Sequence, residues 1–308
     1  MKILVTGGTG MVGNAFNHVD TKHEIILVGS KDHDLTDILQ TREMIFKNKP
    51  DGIIHLAAKV GGVKGNKTYM NDFFVQNLAI NMNVLQESHN LGVTKVVSLL
   101  STCVYPDEVS FPLTEDQIHN GYPHHSNFGY AYAKRMADIH SRALRAQHGR
   151  KYICAVPNNL YGPHDNFDLE NGHVAAAIFR KIYEAKNFGI TPKFWGNGEA
   201  LREFTYSEDV AKILLFLIEN YDEEQPINIG NTQEISIKKM VSAVSEIAGY
   251  KGEIAWDTTK PSGQFRKPSC NNKFIQLNPD FCYTDFSAGL RKTYSWFNER
   301  YPIARGVE

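Results

Sequence analysis

Metal and crosslinking chemistry have little to work with in this chain. Its four cysteines (Cys103, Cys154, Cys270, Cys282) show neither metal spacing nor a disulfide framework. No His-Glu-x-x-His pattern occurs, so no metal is expected. Such sparse cysteine use suits a reducing, cytoplasmic setting. An excess of one charge is also missing. The 33 Lys and Arg balance 34 Asp and Glu, and no long basic run occurs, so the electrostatic footprint of a nucleic-acid or anionic-membrane binder is absent. No apolar run approaches the roughly 18–20 residues that span a bilayer. Met1 to Thr6 runs straight into glycines and reads as a first strand, not a signal peptide. Repeats, low-complexity tracts and Pro/Ser linkers are absent as well.

What is present is alternation. Residues 2–6, 24–28, 52–56, 95–100 and 151–156 read as strands. Residues 36–47, 73–91 and 129–148 read as helices, the second stopped before Gly92. The second half is less regular: a turn at 194–198, a strand at 202–206, and a helix to Asn220 with Ser207 as its N-cap. Strands at 226–229 and 253–256 flank a helix at 237–248, and a last helix covers 286–300. The expected fold class is α/β: a doubly wound Rossmann-type parallel sheet with a smaller C-terminal α/β substrate lobe. Residues 1–160 would form the NADP-binding domain and 161–308 mainly the lobe, with about 203–230 returning to the first domain.

Gly7, Gly10 and Gly13 form Gly-x-x-Gly-x-x-Gly between the first strand and a helix. The first glycine permits the tight turn, the second lets backbone approach a pyrophosphate, and the third packs helix on sheet. A helix N-terminus there favours phosphate charge. Gly7, Gly8, Thr9, Gly10, Met11, Val12 and Gly13 are therefore candidate cofactor contacts. An NAD binder often ends its second strand with an acid that holds the ribose 2′-hydroxyl. Here the chain reads Val28-Gly29-Ser30-Lys31, and a hydroxyl beside a cation suits the 2′-phosphate of NADP(H), although Asp32 and Asp34 blunt the field. Asp34 and Leu35 could flank the adenine.

Tyr130 and Lys134 lie four apart on a predicted helix and face the same way. An ammonium beside a phenol stabilises phenolate, so Lys134 is expected to lower the Tyr130 pKa toward neutrality. Lys134 can also bind the nicotinamide ribose. Ser101, at the end of the fourth strand, can hydrogen-bond a substrate carbonyl. Tyr-x-x-x-Lys arises often by chance on amphipathic helices; here the glycines, the strand-end serine and the Tyr/Lys pair occur in working order. Cys103, two residues after Ser101, is expected on the same side of an extended segment.

These residues resemble the extended short-chain dehydrogenase/reductase family, whose members mostly act on nucleotide sugars. Ala57-Ala58-Lys59-Val60-Gly61-Gly62, Ser101-Thr102-Cys103-Val104-Tyr105-Pro106 and Asn159-Leu160-Tyr161-Gly162-Pro163-His164-Asp165-Asn166-Phe167 narrow the resemblance. With His173-Val174, Trp195-Gly196, Arg202-Glu203-Phe204 and Gly249-Tyr250-Lys251-Gly252 they point to one branch, which epimerises C3 and C5 and reduces C4 of GDP-4-keto-6-deoxy-D-mannose with NADPH. The resemblance implies Ser101, Tyr130 and Lys134 as the reductase set. It implies Cys103 as the carbon base and His173 as the acid on the opposite face. It adds Ala57, Ala58, Leu99, Leu100, Pro157, Asn159, Leu160 and His173 to the cofactor wall. Lys181, Trp195, Arg202 and Ser262 would meet the GDP-sugar. Three positions depart from the pattern: Lys181 stands where Arg is common, Ser262 where relatives carry Asp, and Leu100 where Gly is frequent. Family members pair through the helices at 73–91 and 129–148 as a four-helix bundle, so a homodimer is expected. A 4,6-dehydratase of this fold would put Asp-Glu where Thr102-Cys103 stands, and a 4-epimerase needs no Cys/His pair. A non-enzymatic cofactor sensor has no need of Ser101, Tyr130 and Lys134 together.

Overall fold

β1 (Lys2–Thr6), β2 (Glu24–Val28), β3 (Gly52–His55), β4 (Lys95–Leu99) and β5 (Lys151–Val156) pair in parallel in the order β2-β1-β3-β4-β5. This is a computed structural model; residues 1–260 and 264–307 are described, Val63 and Lys64 by backbone alone. The period-two alternation of the strands divides their side chains between two cores. Ile3, Val5, Val97 and Ile153 face one side, where they meet Val12, Phe16 and the apolar residues of a helix at 207–220. Leu4, Val96, Tyr152 and Cys154 face the other, against helices that cover it.

Those covering helices are α2 (Ile38–Asn48), α4 (Met70–Asn90) and α5 (Phe128–His148), and α1 (Met11–Ala15) covers the first side. α2 begins two residues later than the sequence suggests because Asp37 caps it, accepting from Leu39 N at 2.8 Å. α4 starts three residues earlier, directly after a short helix α3 (Val63–Thr68) that the sequence pattern does not announce. It ends as expected: Gly92 has φ +80°, and Val93 N bonds to Ser88 O at 2.9 Å, closing a left-handed cap.

Past β6 (Asn159–Tyr161) the chain builds the lobe from α6 (Val174–Phe188), β7 (Lys193–Trp195) and β8 (Leu201–Tyr206). It then sends α7 (Ser207–Asn220) and β9 (Ile227–Asn228) back to the large sheet, where β9 pairs with β5 as a sixth parallel strand. β10 (Glu234–Ser236), α8 (Ile237–Ala248), β11 (Ala255–Asp257), α9 (Asn272–Leu277) and α10 (Phe286–Arg300) follow. The lobe has its own core, in which Phe179, Ile182, Phe204, Met240, Val244, Leu290 and Phe297 interlock.

Two sequence expectations fail here. Ser207 does not cap α7: it is the first helical residue, buried against Gly162, and Tyr206 is the N-cap. Phe194 and Trp195 are strand, not turn, because β7 finds a parallel partner in β11 some sixty residues later. The turn starts at Gly196 (φ +73°).

Candidate active site

The strand order reverses at β1, so the connections that leave the carboxyl ends of β1 and β3 run in opposite directions and leave a crevice between them. A cavity of about 570 Å³ occupies it. Its wall contains Gly7, Thr9, Gly10, Met11, Val12, Gly13, Ser30, Asp34, Leu35, Ala57, Ala58, Leu99, Leu100, Pro157, Asn159 and Leu160. Ser101, Cys103, Tyr130, Lys134 and His173 line the same cavity. Residues from opposite ends of a 73-residue stretch of sequence thus meet at one place.

The glycines act as backbone contacts. A Cβ on Gly13 would stand 2.4 Å from Gly7 O, so any side chain would force α1 off the loop. Gly10, the N-cap of α1, has only Gly7 O near its missing Cβ, at 3.2 Å, and presents bare backbone to the cavity. That surface fits a dinucleotide pyrophosphate. Gly8 does not line the cavity. It is pressed against β2, its N–H donating to Val28 O at 2.8 Å, and a Cβ would meet Val28 N at 2.7 Å.

Lys31 also falls outside the wall. Gly29 N donates to the Asp32 carboxylate at 2.8 Å, closing a turn that leaves Lys31 exposed, while Ser30 and His33 face the cavity.

α5 is fixed from below by a buried chain of polar groups. Asn81 Nδ2 donates to Ala133 O at 3.0 Å, and Asn81 Oδ1 meets His55 Nε2 at 3.1 Å. His55 Nδ1 lies 2.7 Å from Thr6 Oγ1 at the end of β1. Burial and the Lys134 ammonium push the His55 imidazole down to about 3, so it is neutral; its Nε2 donates to Asn81, and its Nδ1 accepts from Thr6.

Lys134 is 2% exposed and donates to Leu99 O at 2.7 Å; its Nζ lies 6.0 Å from the centre of the Tyr130 ring. Here the expected electrostatics invert. Burial pushes the Tyr130 phenol well above its ordinary value, and lowers the Lys134 ammonium to about 8. Desolvation outweighs the attraction because the ammonium is committed to a backbone carbonyl and does not touch the phenol oxygen. Tyr130 is therefore a protonated donor.

The segment after β4 is not extended. Ser101 caps a 3-10 turn over Thr102–Val104, its Oγ accepting from Cys103 N at 3.4 Å. The turn, not strand alternation, brings Ser101 and Cys103 to the same cavity. His173 is the exposed N-cap of α6 and makes no capping bond with its ring. Asp165, part of the Asn159–Phe167 run but given no role by the sequence, lies 6% exposed in the same wall. Burial raises its carboxyl, and the neighbouring His173 and Arg305 pull it back down.

Of the residues expected to meet a GDP-sugar, Lys181, Trp195 and Arg202 lie outside this cavity, on the lobe's elements. Lys181 Nζ donates to Lys193 O at 2.7 Å and sits over the Phe194 ring. Trp195 is 63% exposed, and the Arg202 guanidinium donates to Leu201 O at 2.6 Å. Ser262 lies outside the described residues. Lys267, which no motif announced, bridges the two regions. Its Nζ donates to Thr102 O at 3.1 Å; burial lowers its ammonium, which Cys103 and Asp107 support and Arg202 opposes.

Residues 3–230 match the model of the NAD dependent epimerase/dehydratase family. The chain belongs to this family. Among its relatives, GDP-L-fucose synthase of Dictyostelium discoideum is 40% identical over 98% of this chain and 97% of the relative. A probable GDP-L-fucose synthase of Drosophila melanogaster is 38% identical over 99% of both. The crystal structure of a GDP-L-fucose synthetase from Naegleria fowleri bound to NADP superposes with a TM-score of 0.92, at 39% identity, covering 98% of this chain and 95% of that one. The family and the fold agree with the sequence reading.

Proposed function

We propose that this chain converts GDP-4-keto-6-deoxy-D-mannose to GDP-L-fucose: epimerisation at C3 and C5, then reduction at C4 with NADPH. The observation that carries the reading is the single cavity wall that holds both a reductase set (Ser101, Tyr130, Lys134) and a Cys/His pair (Cys103, His173) beside a bare glycine loop. The names of full-length relatives at 38–40% identity and the NADP in the Naegleria relative support it. The Thr102-Cys103 pair, in place of Asp-Glu, disfavours a 4,6-dehydratase.

The 4-keto group acidifies the hydrogens on C3 and C5, because the charge left by deprotonation spreads onto oxygen. Cys103 takes the proton, and the Lys267 side chain stands beside it on the Thr102 carbonyl. Ser101 and Tyr130 donate to the oxygen as it gains charge. His173 returns a proton on the opposite face, with Asp165 in the same wall. Gly7, Thr9–Gly13, Ala57–Ala58 and Pro157–Leu160 would hold NADPH, which would supply the hydride. Tyr130, held protonated by burial, then gives its proton to the C4 oxygen, and Lys134 holds the ribose side of the cavity.

The reading extends to assembly. α4 and α5 lie side by side and leave Val75, Met82, Phe128, Met136 and Ile139 exposed, apolar positions that a two-fold four-helix bundle would cover. A homodimer through these helices is therefore proposed, in a cytoplasmic setting; no helix among the described residues is long and apolar enough to cross a membrane.

The test is NADPH oxidation started by GDP-4-keto-6-deoxy-D-mannose, with the product identified. GDP-L-fucose supports the reading; no NADPH oxidation, or a product with the original C3 and C5 configurations, overturns it. Light scattering at micromolar concentration checks the dimer, which a monomer mass would rule out.

A further inference from the structure

Glu203 is 3% exposed on β8; among the described residues no cation forms an ion pair with its carboxyl group, which burial raises above its ordinary value. Its ligands are hydrogen-bond donors from two separate segments. Ser269 N donates to Oε1 at 2.9 Å, and Ser269 Oγ donates to Oε2 at 2.6 Å. Asn158 Nδ2 donates to Oε2 at 3.1 Å, and the backbone carbonyl of Glu203 accepts from Asn159 Nδ2 at 2.9 Å. Asn158 is itself fully committed: its Oδ1 accepts from Thr205 Oγ1 at 2.6 Å, and its Nδ2 also reaches Asn231 O at 2.8 Å. Gly230 packs so closely on this amide that a Cβ there would stand 2.2 Å from Nδ2.

The two segments serve opposite ends of the site. Asn158 and Asn159 form cavity wall. Residues 264–271 form a strap without helix that runs from the lobe back to the large domain, and none of it lines the cavity. Two residues before Ser269, the strap carries Lys267, whose ammonium rests on the Thr102 carbonyl next to Cys103. Burying a carboxylate is costly unless its lone pairs are satisfied. The network satisfies them, so the strap is held at a depth set by Glu203. A glutamine could still accept from Ser269 N and donate to Ser269 Oγ, but its amide would confront Asn158 Nδ2, donor against donor.

We propose that Glu203 is a positioning residue that, through Ser269, registers the 264–271 strap against the cofactor wall and so holds the Lys267 ammonium over the Thr102–Cys103 turn. The clamp thereby fixes where a cation stands beside the thiol proposed as the carbon base. Cys103 and Asp107 support the Lys267 ammonium and Arg202 opposes it, while Tyr130 faces Cys103 as a neutral phenol, so Lys267 is the cation whose placement the clamp decides. This deepens the proposed function by naming what holds its carbon base in readiness, and it rests on that reading for catalytic meaning alone.

The test does not need the sugar. Cys103 is alkylated with iodoacetamide across pH in the full-length protein, and the modified peptide is followed by mass spectrometry, which separates it from exposed Cys282. Ser269→Ala, which deletes one arm of the clamp, is expected to move the midpoint of alkylation upward and slow the reaction near neutrality by roughly three- to tenfold, a shift of about half to one pH unit. Ser269→Thr, which keeps the hydroxyl, is expected to restore the native profile. NADP+ affinity in Ser269→Ala should stay within about twofold, since the strap does not line the cavity. Glu203→Gln should show the same upward midpoint together with weaker NADP+ binding, because it also disturbs Asn158. Native midpoints in both Ser269→Ala and Glu203→Gln would overturn the proposal, as would a midpoint in Ser269→Thr that stays with Ser269→Ala. Proton exchange at the sugar is measured separately in D2O. If the native protein exchanges nothing while the alkylation midpoints shift as expected, the functional reading fails and the clamp stands.

Discussion

The reductase end of the cavity is built on glycine backbone and the buried Tyr130 and Lys134, whereas the region toward the lobe presents an exposed indole, Trp195, and the half-buried cations Lys181 and Arg202. Lys134 is 2% exposed and tied to Leu99 O; Trp195, in the region proposed for the nucleotide, is 63% exposed. In the first region geometry is set by strand ends, caps and a buried polar chain that anchors α5. In the second, the half-buried Lys181 and Arg202 side chains hydrogen-bond to backbone carbonyls, and burial lowers both cations. A site that must align a donor, a base and a carbonyl needs the first kind of construction. A site that grips a flexible diphosphate and base can work with the second, gaining order when the ligand arrives.

The comparison is sharpened most by Tyr130→Phe. Removing the buried phenol is expected to cut reduction by roughly two to four decades while NADP+ affinity stays within about twofold. Single-turnover NADPH oxidation and NADP+ titration check both halves; near-native turnover would break the claim that the buried region carries the chemistry. Trp195→Ala is the counterpart in the exposed region. KM for the GDP-sugar should rise about tenfold with kcat within about twofold, a loss of binding shared by ground and transition states. A fall in kcat with KM unchanged would place Trp195 on the chemical side.

A smaller effect concerns the burial of Lys134. Its ammonium is lowered from 10.5 to about 8 by desolvation. Between those values the unfolded chain binds more protons than the folded one, so the contribution of this group to stability grows as pH rises through the window and is lost as pH falls through about 8. Urea unfolding of the native protein and Lys134→Met should show a difference in unfolding free energy that shifts in favour of the native protein between about pH 8 and 10. A pH-independent difference would mean that the lysine is better solvated than its position under Leu99 implies.

The same contrast governs what the sequence could reveal. Gly7, Gly10 and Gly13, the strand-end Ser101 and the four-residue spacing of Tyr130 and Lys134 were legible because each follows from local periodicity or turn chemistry. The inverted electrostatics of Tyr130 and Lys134 were not, since burial depends on how β4, β5 and α5 close around them. Lys31 looked like a phosphate ligand until the Asp32 side chain turned the chain outward. Lys267 sits 164 residues after Cys103 on a strap without period, and Glu203 takes its donors from segments 45 and 66 residues away. Contacts of that range leave no mark on a linear pattern.

The central claim is that one cavity performs carbon-acid chemistry and hydride transfer on the same sugar. It is tested most directly by running the reaction with NADPH in D2O and reading the isotopic content of the product at C3 and C5. The account predicts deuterium at both carbons of GDP-L-fucose from the native protein, and loss of that label with Cys103→Ser, whose hydroxyl scarcely ionises. A reduced sugar carrying no solvent deuterium at either carbon would contradict it and leave the protein a reductase alone.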